Sequence, residues 1–155
     1  MKKLFYLFLL LPFTMLVSCS KDDFSPVDMT LTLSGVTQVN DHFYSVEGED
    51  ITIENLTVKA LNGENCGLAN VVYSLDGIPL LGTPGNPFLG TIPTENLPGP
   101  GTYSLNITGN LLEVGSAVKV FAVSYPITIV ESAEDLPENA PEIGSYSYTI
   151  TITED

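Results

Sequence analysis

Past the first two dozen residues, apolar and polar side chains alternate with a period of two along most of the chain, and no stretch there sustains a helical period. A chain patterned this way buries one face of each strand and leaves the other in water, so its core must be built from sheets. The run Met29-Thr30-Leu31-Thr32-Leu33 keeps its apolar residues on odd positions until Gly35 breaks the phase ahead of Val36, which predicts a first strand and then a bulge or turn. Ile51 and Ile53 share one phase, whereas Leu56, Val58 and Ala60 share the other. Two short strands, or one strand bulged near Glu54-Asn55, would bring both sets to the core. Asn62-Gly63 then supplies a turn pair able to take positive φ.

Ala69, Val71, Tyr73 and Leu75 define the next inward phase, and Asp76-Gly77 is the turn into Ile78–Leu81, a predicted hairpin. The segment from Gly82 to Gly101 contains Pro84, Pro87, Pro93, Pro98 and Pro100, which restrict it to short or edge pairings around Phe88 and Ile92. Tyr103, Leu105 and Ile107 alternate with small polar residues in a strand with one core face. Val118 to Val130 is apolar in both phases, so part of it is expected to be covered on both sides, with Pro126 at a bulge or an unpaired edge. Glu131 to Glu142 reads as an exposed acidic loop, and Tyr146, Tyr148, Ile150 and Ile152 restore clean alternation. The fold class expected from this pattern is all-β, an antiparallel sandwich of about seven to nine strands.

The chain begins differently. Lys2 and Lys3 precede an apolar run from Leu4 to Val17, interrupted only by Pro12 and Thr14, which is the layout of a secretory signal. It falls short of the about 20 apolar residues that a membrane-crossing helix needs. Its end, Leu16-Val17-Ser18-Cys19, resembles the lipobox of bacterial lipoproteins. The resemblance implies cleavage after residue 18 and acylation of Cys19, and two or three acyl chains suffice for stable attachment where one would exchange. Ser20, Lys21, Asp22 and Asp23 follow, and they resemble the acidic surface-export tag of Bacteroidota lipoproteins, which implies display on the outer face of the outer membrane. The competing reading of Lys21, Asp22 and Asp23 is a solvated tether. No aspartate immediately follows Cys19, which favours outer-membrane over inner-membrane residence. The expected organisation is a signal peptide over 1–18, an acylated tether over 19–27 and one sandwich domain over 28–155.

Cleavage would leave 137 of the 155 residues, enough for a real core. Three lysines, Lys21, Lys59 and Lys119, would then face 19 acids, a formal charge of −16. Nucleic-acid binding is disfavoured, and anionic lipid headgroups are repelled, so the acyl chains must hold the protein at the membrane. With Cys19 acylated, Cys66 is the only remaining thiol and no internal disulfide is possible. Its neighbours Glu64, Asn65 and Gly67 would not lower its pKa, and a small buried or inert residue is the expected role.

The middle of the chain is similar to a bacterial immunoglobulin-like module. Val71-Val72-Tyr73-Ser74-Leu75-Asp76-Gly77, Pro87-Phe88, Leu97-Pro98 and Gly101-Thr102-Tyr103-Ser104-Leu105 follow one another in the order that such modules use for a tyrosine strand, a turn, a plug and a tyrosine corner. The resemblance covers about a quarter of the chain. It implies a corner in which the Tyr103 hydroxyl bonds upstream backbone, and implies little about ligand. The terminal strand from Ser145 to Thr153 exceeds a simple module. It would either pair within its own domain, which the length of the preceding loop allows, or be donated to another molecule.

Catalytic groups are scarce. His42 is the only histidine, no arginine is present to clamp phosphate, and zinc, P-loop and dinucleotide motifs are missing. Glu47, Glu49 and Asp50, and again Glu131, Glu134 and Asp135, are acidic clusters without the spacing of a calcium loop. No metal, cofactor or enzymatic activity is therefore expected. The function expected is a non-enzymatic outer-membrane lipoprotein that binds, adheres or spaces at the cell surface, held to the membrane by its lipid and engaging a protein or glycan. A fimbrial subunit or anchor using the C-terminal strand, and a glycan-binding accessory lipoprotein, are the alternatives.

Overall fold

In the computed structural model, which describes residues 25–113, 115 and 118–153, the chain is all-β. Nine strands run in the order β1 (Val27–Val39), β2 (His42–Val46), β3 (Ile51–Ala60), β4 (Cys66–Leu75), β5 (Ile78–Pro79), β6 (Gly90–Ile92), β7 (Gly101–Glu113), β8 (Lys119–Val130) and β9 (Gly144–Ile152). Two layers result. One carries β9, β1, β3 and β6 side by side; the other carries β5, β4, β7, β8 and β2. β1 belongs to both, because its last residues, Thr37 to Val39, pair with β2 after the strand has left β3 and β9. The hydrogen-bonded sheet is thus continuous and curls over its own core.

Gly35 makes the crossing possible. It adopts φ +76°, and its pairing with β9 slips there, from Ser34 opposite Ser145 to Val36 opposite Gly144. A β-carbon at this position would lie 2.3 Å from the Asp50 carbonyl oxygen. The buried Ser45 hydroxyl donates to the Gly35 carbonyl at 2.7 Å and ties β2 to the bend. Gly35→Ala is expected to destabilise the protein by about 1–3 kcal/mol through backbone strain, read as a lower denaturation midpoint. An unchanged midpoint would mean the bend relaxes freely.

Paired strands are antiparallel with one exception, and it involves a strand that the sequence reading did not mark: β2 runs parallel to β8, Phe43 beside Ile127 and Val46 beside Val130. The cause is the hairpin at Asn40-Asp41, which returns the chain along the flank of β8 after β1 has crossed layers. The kink near Glu54 is a bulge within one continuous strand, with Thr32 opposite Asn55 and Leu33 opposite Ile53. Both apolar phases of β3 reach the core by this means, since Ile51, Ile53, Leu56 and Ala60 are all buried. Asp76 and Gly77, both at positive φ, form the two-residue turn joining β4 to β5.

β8 departs from expectation. Phe121, Tyr125, Ile127 and Ile129 are buried, but Val118 and Val120 are 58 % and 74 % exposed. No layer lies over the outer face of β8, so the valines there serve the pleated backbone rather than a second core. Pro126 lies opposite Ser104 of β7 and just before the residues that pair with β2, so its β2-facing flank is free of the ladder. The core itself lies between the layers. Tyr125 of β8 donates to the Met29 carbonyl of β1 at 3.2 Å, and its ring meets Tyr148 of β9 edge-on at 5.4 Å.

β9 pairs with β1 over its whole length, from Gly144 opposite Val36 to Ile152 opposite Val27, so the terminal strand completes its own domain. Tyr146, Tyr148, Ile150 and Ile152 pack against the core, while Ser147 and Thr149 hydrogen-bond Thr32 and Thr30 on the outer face at 2.8 and 2.7 Å.

Candidate functional site

The two ends of the sandwich differ in chemistry. The chain enters at one end: the Leu61 amide donates to the Pro26 carbonyl at 2.9 Å, and Val27 lies between Ala60 and Ile152. The β3–β4 turn and the last described residue of the chain are found there too. At roughly 3.3 Å per residue, the stretch of β1 from Val27 to Val36 carries the sheet about 30 Å to the opposite end. Loops 47–50, 76–77, 93–100 and 131–143 cluster there. They hold ten of the 19 acids and none of the lysines. Lys59 sits opposite Asp28 and Lys119 opens β8, both near the entry end.

Local hydrogen bonds hold the distal loops in shape. Buried Tyr73 donates its hydroxyl to the Phe88 carbonyl at 2.7 Å, holding this residue, at φ +59°, in the segment that leads from β5 to β6. Burial pushes the Tyr73 phenol far above its ordinary pKa, so it remains a donor at any physiological pH. Tyr103 donates its hydroxyl to the Gly99 carbonyl, four residues upstream. Thr94, 1 % exposed, accepts from the Gly48 amide at 2.9 Å and donates to the Glu49 carbonyl at 2.8 Å, locking loop 47–50 to the 93–100 loop. Asp76 accepts from the Ser104 amide at 2.7 Å and anchors the β4–β5 turn. In loop 131–143, Asp135 closes a capping box on Ser132, and the Thr37 hydroxyl donates to the Pro141 carbonyl at 2.7 Å. The loops are therefore a braced surface.

Of the residues singled out in the sequence, Cys19, Lys21, Asp22 and Asp23 lie outside the described residues. His42 begins β2, where its Nε2 shares a hydrogen bond of 2.7 Å with the Thr128 hydroxyl and burial lowers its pKa. The unfolded chain takes up the proton first, so stability is lost as pH falls from the unfolded value of about 6.5 through the lower folded value. Thr128 bonds on to Thr102 at 2.8 Å, and no carboxylate or thiol shares this array. Among the described residues, no three His, Cys, Asp or Glu side chains converge closely enough to hold a metal ion.

Cys66 lies half-buried at the start of β4, on the wall of an open cleft of about 500 Å³ between β3, β4 and the Pro84–Phe88 turn. Burial pushes its thiol up from the ordinary value, outweighing a hydrogen bond with the Ala60 backbone. Iodoacetamide at neutral pH is expected to alkylate Cys66 more slowly than free cysteine, the rate rising as pH is raised. A rate equal to that of free cysteine would contradict this setting.

Sequence reasoning passed over the residues that shape the distal loops, because Ile78-Pro79-Leu80-Leu81 reads as a strand and only Ile78 and Pro79 form one. The available signal was four consecutive non-polar residues in a segment otherwise marked by glycine and proline. No protein-family model matches the chain, and no curated protein matches it.

Proposed function

We propose that the chain is a non-enzymatic, lipid-anchored module of the bacterial outer membrane that presents the distal end of an immunoglobulin-like sandwich at the cell surface. The observation that carries this reading is the polarity of the fold. The chain enters at one end beside Ala60 and Ile152, and the braced, acidic loops stand about 30 Å away at the other. An acylated Cys19, a few residues ahead of Val27, would hold the entry end to the membrane and point the loops outward. Loops carried on a rigid scaffold are the usual seat of recognition.

The antiparallel trio β4-β7-β8, with the Tyr103 hydrogen bond at the start of β7, supports the immunoglobulin-like reading. β9 already lies along β1, which favours a module complete in one chain over a fimbrial subunit that lends its last strand. Tyr73 and Tyr125 are buried and Tyr103, Tyr146 and Tyr148 pack against the core, which leaves these rings unsuited to stacking on sugars.

Photo-crosslinkers placed at Glu134 in the distal loops and at Asn65 at the entry end test this. Adducts with a surface or host protein on living cells are expected from Glu134 and not from Asn65. Equal yields from both, or turnover in a screen of glycosides and esters, would overturn it.

A further inference from the structure

One apolar groove opens at the distal end, and it is chemically unlike its surroundings. Its floor is buried Leu75 and Ile92, and its walls are the half-buried Leu80 and Leu97 with Pro79 and Pro93. The volume is about 290 Å³, enough for one or two large side chains. Ile78 and Leu81 stand on its rim at 58 % and 92 % exposure. The apolar surface continues past Leu81 toward Leu89, itself 42 % exposed. Burial of such residues is the usual outcome in water, and here they are held open. Pro79 ends β5 after two residues, and Thr83 Oγ1 accepts from the Leu89 amide at 2.8 Å, which fixes the loop with Leu81 turned outward.

Three acids belong to the segments that form the groove or bond to them. Asp76 precedes Ile78 in the turn, Glu95 lies next to the lining residue Asn96, and the Glu49 backbone bonds Thr94 directly behind it. All three acids are exposed, and no lysine belongs to this end of the fold. The lining holds no aromatic ring, so stacking on a sugar is not what it offers. A second copy of this chain would bring a like-signed field of the same strength, and anionic lipid would be repelled likewise.

From this complementarity we infer that the groove docks a cationic polypeptide, seating an aliphatic side chain between Leu80 and Leu97 while flanking lysines or arginines face Asp76, Glu95 and Glu49. The apolar contact supplies the anchor, and the acids raise the rate of encounter and reject acidic competitors. The inference rests on reading the chain as a binding module and is independent of its anchor.

The test uses the full purified chain and dye-labelled peptides read by fluorescence anisotropy. The first peptide carries a leucine pair flanked by lysines, the second has glutamates for the lysines, and the third has serines for the leucines. Only the first is expected to bind, and more weakly as salt rises. Ile78→Ser with Leu81→Ser, and separately Glu49→Gln with Glu95→Gln, should each weaken it about tenfold. All four positions are exposed, so unchanged thermal midpoints should accompany the loss. Equal binding of all three peptides, binding of none, or binding indifferent to both double variants would overturn the inference. None of these results would alter membrane attachment or surface exposure, which are measured separately.

Discussion

Replacing Tyr125 with alanine is expected to cost about 3–5 kcal/mol, a loss set by the cavity left when a large buried ring is removed. The residue is fully buried on β8 and reaches across the core to the Met29 carbonyl on β1. Its ring also supports Tyr148, whose other side meets Phe43 edge-on at 6.2 Å. Tyr125 therefore joins three strands, β8, β1 and β9, that share no hydrogen-bonded ladder between the layers at this point. The conservative change Tyr125→Phe keeps the ring and removes one hydrogen bond, and should cost about 1 kcal/mol. Equilibrium denaturation separates the two, and hydrogen exchange adds a local readout. β9 amides should exchange faster in Tyr125→Ala than in the parent by a larger factor than β4 amides do, because Tyr148 has lost its support. An Ala variant as stable as the parent would show that the layers do not meet through this side chain.

Cys19→Ser is expected to have the largest effect on location. If the thiol carries the diacylglyceryl group, serine cannot receive it, and the membrane attachment worth two or three acyl chains is lost outright. The described residues offer no substitute. The chain's surface carries a strong negative charge that anionic headgroups repel, and among the described residues no helix is long and apolar enough to cross a membrane. Fractionation should move the variant out of the membrane fraction that the proposal expects to hold the parent, either into the soluble fraction or into an unprocessed precursor still bearing residues 1–18. The folded domain should be unaffected, with the same denaturation midpoint as the parent, since Val27 and the residues after it form the sheet regardless of what precedes them. Equal partitioning of parent and variant would remove the lipoprotein reading.

Side-chain periodicity made much of the strand set legible, because burial on one face imposes the pattern directly. The Glu54 bulge was visible as a change of phase, and the Asp76-Gly77 turn as a residue pair suited to positive φ. A hydrogen bond from the Tyr103 hydroxyl to upstream backbone was an expectation of the resemblance, and it is present. Strand direction was not legible, because alternation reads the same either way along a strand. The parallel pairing of β2 with β8 arises from a crossing at Gly35 followed by a hairpin. The exposed outer face of β8 was misjudged because valine suits any pleated strand, so that Val118 and Val120 look like core residues in sequence.

The distal end was legible only in part. Its acids were plain, but their gathering at one end depends on which loops the topology brings together. Glu49 and Glu95 are 46 residues apart in sequence and become neighbours through the two hydrogen bonds of Thr94. The groove is hidden for the same reason. Leu80 and Leu97 flank a stretch rich in glycine and proline, and only the folding of that stretch over Tyr73 makes them opposite walls.

Protease accessibility on intact cells, compared with lysed cells, tests the central claim most directly. Cleavage in the distal loops, loop 131–143 among them, is predicted on intact cells while a periplasmic marker stays whole. Protection until the cells are lysed would contradict surface display and confine the protein to the periplasmic side of the envelope.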